Sequence, residues 1–223
     1  MLALFTFPLT GQSQVAIGIR SIIQTVLDQT YDMDRTSWKY EYTYDTLGRP
    51  LSKKSSLCSD QYEMTFDQMS RQVYYYDDPI QFKGMENYDK NDSLISYTIS
   101  NCQDSVETTT FYINNLPINE TINALDSLGN IIRSVSSDER KSFNLYDENG
   151  WLIRSWFYMD GKSDTTYYSN NDSGLPIRIW SNSGERIIDY LDFDNRGNWI
   201  KKREISNYGY ETRELITREI QYY

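Results

Sequence analysis

One short pattern recurs along most of this chain and constrains its fold more than any other feature. It begins with a large apolar residue, usually aromatic, followed directly by Asp, and a branched aliphatic residue stands six positions after the Asp. Tyr44-Asp45-Thr46-Leu47-Gly48-Arg49-Pro50-Leu51 is the clearest copy; others start at Phe66-Asp67, Tyr88-Asp89, Leu125-Asp126, Tyr146-Asp147 and Phe193-Asp194. Successive aspartates are 22, 22, 37, 21 and 47 residues apart, and degenerate copies at Tyr112–Ile118 and Tyr168–Ile177 fill the two long gaps. A fixed period of this kind marks a structural unit that is copied and packed against itself.

Each position in the unit has a mechanical reason. The Asp carboxylate accepts from its own downstream backbone, and Gly48, Gly129, Gly150 or Gly197 three residues later supplies a positive φ, so the motif predicts a tight turn. Ser70 and Asp92 replace that Gly in two copies, where looser turns are expected. The residue before the Asp and the aliphatic six after it (Leu51, Val73, Ile95, Ile132, Ile153, Ile200) are expected to form a buried stripe on one face. A second turn follows about 13 residues after the Asp, read at Asp160-Gly161 as a two-residue hairpin loop and at Asn182-Ser183-Gly184 as a three-residue loop. Counting outward from Asp160-Gly161 pairs Trp156 with Thr165, Arg154 with Tyr167 and Ile153 with Tyr168. The other face then carries Arg154, Trp156, Tyr158 and Tyr167, and the next hairpin adds Trp180 and Arg186.

Composition agrees with strands. The chain has 20 Tyr but only three Ala (Ala3, Ala16, Ala124), and mean hydropathy is −0.67 with 15% aromatics. Tyr, Thr and Ile suit a pleated surface, whereas Ala is the best helix former. The expectation is an all-β fold, an antiparallel meander of repeated β-hairpins. Seven to nine units imply roughly fifteen strands, too many for an open twisted sheet, so the sheet should coil or curl on itself.

Tyr44-Asp45-x-x-Gly48-Arg49 and Tyr146-Asp147-x-x-Gly150 resemble the YD repeat of bacterial RHS proteins and teneurins, over approximately residues 35 to 202. The resemblance implies a β strip that can spiral into a shell, with sugar binding described for some members. This chain is far shorter than the shell-forming members, so the resemblance implies fold more than function.

The N-terminus, MLALFTFPLTGQSQ, has an apolar run from Leu2 to Leu9 followed by Gly11 and Ser13, the pattern of a secretory segment cleaved between Ser13 and Gln14, although the first basic residue is Arg20. The domain reading is 1–13 signal peptide, 14–34 N-terminal capping segment and 35–223 a single hairpin-repeat domain. Residues 15–28 fit a helix or a strand, and 211–223 reads as the last strand. Cys58 and Cys102 each lie 13 residues after a repeat Asp, two units apart. That spacing separates them by ~19 Å, too far for a disulfide.

The chain contains no histidine, which excludes Ser-His-Asp and Cys-His triads and His-ligated zinc. A net charge of −10 without a basic block argues against nucleic acid as a partner. Asp192-x-Asp194 resembles the start of a calcium loop, but Arg196 and Arg203 occupy positions where such a loop needs ligands. Carboxylate pairs such as Asp160 with Asp164 fall at turns. No catalytic residue, metal site or cofactor is therefore assigned. The expected role is a non-enzymatic, exported binding or structural module at the bacterial envelope, in the periplasm, on the outer surface or secreted. Its partner is a protein or carbohydrate, met by Arg154, Trp156, Tyr158, Tyr167, Trp180 and Arg186; the alternative to a ligand face there is ordinary cross-strand pairing. The alternative role is a cytosolic interaction or immunity partner of a larger RHS-type protein.

Overall fold

The computed structural model describes residues 18–29, 35–60, 65–76 and 82–223. They form β1 (Ile19–Asp28), β2 (Arg35–Tyr44), β3 (Pro50–Asp60), β4 (Thr65–Tyr76), β5 (Phe82–Tyr88), β6 (Leu94–Gln103), β7 (Val106–Ile113) and β8 (Leu116–Leu125). The second half continues with β9 (Ile131–Ser136), β10 (Lys141–Tyr146), β11 (Leu152–Met159), β12 (Lys162–Asn170), β13 (Pro176–Ser181), β14 (Gly184–Phe193), β15 (Trp199–Asn207) and β16 (Glu211–Tyr222). Every strand pairs antiparallel with its sequence neighbours, and β1 pairs with β16, so the meander closes into a 16-stranded barrel. Closure removes both sheet edges. Residues 19–28 are therefore a wall strand with two partners and no edge to cap, and β16 is not an edge strand.

The repeat motif builds one end of many of the hairpins. Asp45 Oδ1 accepts the backbone N–H of Leu47 at 2.9 Å and of Arg49 at 3.0 Å, while Gly48 N–H closes the turn onto Asp45 O at 3.0 Å with φ +79. The same pair of bonds recurs at Asp89, Asp126, Asp147 and Asp194, and with an amide oxygen in place of the carboxylate at Asn171. Asp92 takes the glycine position at φ 58 and its N–H still reaches Asp89 O at 3.2 Å, so that turn is as closed as the others. The Phe66-Asp67 copy is not a turn: Asp67 and Ser70 lie inside β4, paired with Leu57 and Ser55. Other strand pairs are joined by two-residue loops at Asp104-Ser105, Asn114-Asn115 and Asp160-Gly161, with both φ positive, which matches the twist of the strands they join.

Strand alternation separates two faces. Val26 on β1 and Ile216 on β16 pack into one cluster with Trp38 and Tyr40 on β2 and Tyr190 on β14, so that side chains two strands apart share one contact group. Side chains that start ~9–10 Å apart meet in this way only on a concave wall, so this face is the inner one. Following the register around the barrel, the inner wall runs through Val26, Trp38, Tyr42, Lys53, Gln72, Asn87, Ser96, Glu107, Asn123, Ser134, Ser155, Tyr168, Ile188, Lys202 and Ile216.

The expected single buried stripe is not formed. Leu51, Ile95, Ile132 and Phe193 are 40–48% exposed, because the barrel wall is one sheet thick and has no second layer to cover that stripe. Buried apolar packing gathers instead beside the β1–β16 seam, where Val26, Leu175, Trp199 and Ile216 are at most 7% exposed and Trp38, Tyr40 and Tyr190 lean on them. Elsewhere Leu57, Phe157 and Ile177 point inward and are still well exposed, so the lumen is wet. Polar ladders line it: Gln72 Nε2 donates to Asn87 Oδ1 at 2.9 Å, and Asn87 Nδ2 to Ser96 Oγ at 3.1 Å. Ser100 and Asn123 both donate to the Glu107 carboxylate, at 2.6 and 2.9 Å. Cys58 and Cys102 lie within β3 and β6, rather than at the turns, and are not bridged.

Candidate functional site

Two constellations stand out, one on each face. The outer one contains most of the residues singled out in the sequence. Arg154 pairs with Tyr167 and Trp156 with Thr165, as counting from Asp160-Gly161 predicts, and Tyr167 pairs with Trp180. Phe143 and Trp156 stack with ring centroids 5.6 Å apart, and Tyr167 and Trp180 with centroids 5.5 Å apart, both nearly parallel. Guanidinium groups add to these columns: Arg133 over Phe143, Arg154 over Trp156 at 4.9 Å and Arg178 over Trp180 at 5.0 Å. Tyr158 lies further along β11 and is 43% exposed.

Arg186 is not part of this face. The loop after β13 has two residues, with Ser181 opposite Gly184, instead of the three expected; that one-residue difference pairs Arg186 with Ile179 and turns it into the lumen. Arg178 takes the place assigned to it, stacking on Trp180 and bonding Glu185 Oε2 through Nε and Nη2. Phe143, Arg133 and Arg178 were missed because the register of their hairpins, unlike that at Asp160-Gly161, is not marked by an unambiguous loop.

The inner constellation sits beside the seam. Lys202 and Arg186 both bond Glu204, at 2.5 and 3.4 Å, and Arg186 Nε also donates to Ser206 Oγ at 3.2 Å. Glu204 and Asp28 lie directly opposite Glu214 on either side, a row of three carboxylates across three strands. Burial, and then the Glu204 charge, hold the Glu214 carboxyl above its ordinary value. Burial also pushes the Lys202 ammonium down, against the pull of Glu204.

One row along, Arg218 stacks on Trp199, its carbon centre 3.4 Å from the ring centroid, and donates from Nε to Gln24 Oε1 at 3.2 Å. Burial lowers the guanidinium to about 10. Tyr190 is raised to about 12, again mainly by burial, and its hydroxyl donates to Pro176 O at 3.2 Å. Lys53, over the rings of Tyr40 and Tyr42 at 5.0 and 5.8 Å, is likewise lowered by burial. No sequence motif marks this cluster, since its members come from strands nearly 200 residues apart. Among the described residues no group of His, Cys, Asp or Glu side chains is arranged to hold a metal ion.

Fold and faces together define a class: an up-and-down antiparallel barrel of 16 strands with polar groups on both sides of its wall. No family model matches the chain, and no curated protein matches it in sequence. Among solved structures, a porin-like protein from Bacteroides uniformis superposes with a TM-score of 0.61 at 12% identity, over 91% of this chain and 98% of that one. A porin-like protein from Bacteroides vulgatus gives 0.37 at 11% identity, over 90% and 98%. The TcdB2-TccC3-Cdc42 structure gives 0.36 at 11% identity, over 79% of this chain and 12% of that one. The first likeness is close enough to support the barrel architecture, and at 12% identity it shows the fold alone.

Proposed function

We propose that this chain is a non-enzymatic binding module of the bacterial cell envelope, a barrel standing in water that takes a protein partner on its outer aromatic and arginine columns. The observation that carries this reading is the outer wall itself. Lys54, Arg71, Arg133, Arg154, Arg178 and Arg203 all project outward from within strands. An Arg or Lys facing lipid costs about 2–4 kcal/mol at mid-bilayer and about 0–1 kcal/mol near its interfaces, so six outward cations spread around the wall would oppose insertion by several kcal/mol. Strand length argues the same way: β9, β10 and β13 have six residues each. At ~3.3 Å per residue and ~45° tilt they rise ~14 Å, against an apolar band of ~25 Å. The likeness to a porin-like barrel therefore does not carry membrane insertion with it.

A protein partner is favoured over a sugar because of the ring geometry. Sugar stacking needs an open aromatic face, whereas Phe143, Trp156, Tyr167 and Trp180 stack on one another or on guanidinium groups. What remains outward are ring edges and arginine donors, a composition typical of protein hot spots. The export-like N-terminus supports an envelope location, and the Asp turns support kinship with YD repeats. Residues 1–13 and the proposed cleavage point lie outside the described residues.

Fractionation of the host with N-terminal sequencing tests the location. A mature chain beginning near Gln14, released from envelope preparations by salt or carbonate without detergent, is the expected result; an intact Met1 in the cytosol, or extraction by detergent alone, refutes it. For the surface, Trp156→Ala with Trp180→Ala should abolish capture of a specific envelope protein while leaving the circular dichroism spectrum unchanged. Capture undiminished by the double substitution, or glycan binding in place of protein binding, refutes that assignment.

A further inference from the structure

What kind of protein the outer wall would take, granted that it takes one, follows from which of its cations are already paired. Several have a carboxylate beside them: Lys39 has Glu41 at 2.8 Å, Arg71 has Asp92 at 3.0 Å, Arg178 has Glu185 at 2.8 Å and Arg213 has Glu211 at 2.7 Å. Arg133, Lys141 and Arg154 do not. Among the described residues none of these three makes an ion pair or a side-chain hydrogen bond. Their cross-strand neighbours are apolar or aromatic: Ala124 and Phe143 for Arg133, Val135 and Tyr158 for Lys141, Leu145 and Tyr167 for Arg154. The one carboxylate within strands β9 to β12 is Asp164, which pairs with Phe157 and so faces the lumen. In a chain with 32 acidic and 22 basic side chains, four successive strands whose outer face holds three cations and no carboxylate are a local reversal of charge.

Arg154 Nε is buried without an acceptor, an uncommon condition for a polar atom in a folded wall. The guanidinium lies against Trp156, 4.9 Å from the ring centroid, and its Nη groups are the part a partner can reach. Arg133 lies 5.8 Å from the Phe143 centroid, at the other end of the Phe143–Trp156 stack. The two arginines stand on β9 and β11, ~10 Å apart at the backbone, and the convex side of the wall splays them further. Carboxylates four residues apart on an extended segment are ~13 Å apart, enough to span that interval with the residues between them against the ring edges. Each fork can then take a carboxylate through paired, charge-assisted hydrogen bonds. The net charge of −10 selects among anions. A membrane or a nucleic acid would bring its charge against the whole molecule, whereas a short segment meets only the cations within a Debye length of ~8 Å.

We propose that the outer face of β9–β12 binds an extended acidic segment of a protein partner, whose carboxylates meet Arg133 and Arg154, with Lys141 beside them, and whose apolar residues cover the Phe143–Trp156 edges. The proposal rests on the binding-module reading and adds to it the charge of the partner.

The test uses the full chain and a library of short labelled peptides in matched sets, each set sharing its apolar residues and carrying Glu, Gln or Lys at positions i and i+4, with binding followed by fluorescence anisotropy at physiological ionic strength. Wild type should bind Glu peptides about tenfold or more tighter than their Gln counterparts, the usual worth of a charge-assisted contact, and Lys peptides more weakly still. Arg133→Gln and Arg154→Gln should each remove most of that preference with an unchanged circular dichroism spectrum, while Arg203→Gln, on β15, should keep it. Trp156→Ala with Trp180→Ala should weaken Glu and Gln peptides alike. Equal affinity for Glu and Gln peptides, lost in the tryptophan variant, overturns the acidic partner and leaves the outer wall as a protein site. A preference for Glu that survives both arginine substitutions overturns the assignment to β9–β12. Binding to phosphatidylglycerol vesicles in preference to every peptide, or no peptide bound, overturns the acidic partner and the protein-binding surface together.

Discussion

Replacing Ile216 by Ala should reveal how much of this barrel hangs on its seam. Each strand pairs only with its sequence neighbours except at the β1–β16 seam, which joins residues nearly 200 positions apart through nine residue pairs. In such a one-sheet wall, local hairpins supply most contacts and the seam alone supplies closure. Ile216 is 5% exposed and packs with Val26, Trp199 and Leu175, the best-buried apolar group among the described residues. Truncation to Ala removes about three methyl or methylene groups at ~0.8 kcal/mol each, and the cavity left among rigid neighbours raises the loss to about 2–4 kcal/mol. Ile122 on the outer wall is the matched control. It is 47% exposed, so Ile122→Ala should cost about 1 kcal/mol or less, with no cavity. Urea unfolding followed by circular dichroism would measure both, as shifts of midpoint at unchanged slope. Equal losses in the two variants would falsify the argument, since they would mean that stability is spread evenly around the wall instead of being concentrated at the seam.

Other outcomes follow from the turns and the inner carboxylates. Asp147→Ala removes the acceptor for Asn149 and Trp151 N–H and should cost about 1–2 kcal/mol, whereas Asp147→Asn should be nearly neutral because Asn171 makes the same bonds in its own copy; thermal melts of both variants check this. Gly84→Ala would set a Cβ 2.3 Å from Thr98 O and must push β5 off β6, so its midpoint should fall further than that of Gly129→Ala, which meets nothing within 4 Å and bears only the backbone strain of a side chain at φ +82. Glu214 has a folded-state carboxyl raised above 4.5, chiefly by burial. Its ionisation therefore opposes folding at neutral pH and has no effect below its unfolded value, so Glu214→Gln should raise the melting midpoint at pH 7 and make no difference near pH 3. Asp45, Asp126 and Asp194 behave in the opposite sense: burial pushes their carboxyls up, but hydrogen bonds outweigh it and hold them below 3.8. The stability they add is present above that value and is lost as pH falls through their folded values, and acid titration of the midpoint should show a decline in that window that is reduced in Asp126→Asn.

The legibility of the sequence was uneven for physical reasons. Turns are local, so Asp-x-x-Gly and Asp160-Gly161 were readable, together with the Arg154–Tyr167 and Trp156–Thr165 pairs that one loop fixes. Arg186 shows the limit. Asn182-Ser183-Gly184 is compatible with a loop of two or three residues, and because the side-chain period of a strand is two, one residue of error moves an arginine from the outer wall to the lumen. The Phe66-Asp67 copy shows another: with Ser70 in the glycine position it lies inside the 12 residues of β4, whereas Asp92 in the same position of the Asp89 copy takes a positive φ and turns the chain.

By itself the sequence determined that this chain is built of antiparallel strands joined by repeated Asp turns, and that histidine chemistry is absent. Tertiary structure alone decided that the meander closes. Closure depends on Ile22 meeting Ile220 and Val26 meeting Ile216 across nearly the whole sequence, a pairing that no local pattern encodes. The same closure gives each face its meaning, because a strand pattern specifies two sides but only curvature says which is the lumen. Arg218, Trp199 and Gln24 are unremarkable residues in sequence, and closure is what brings them together.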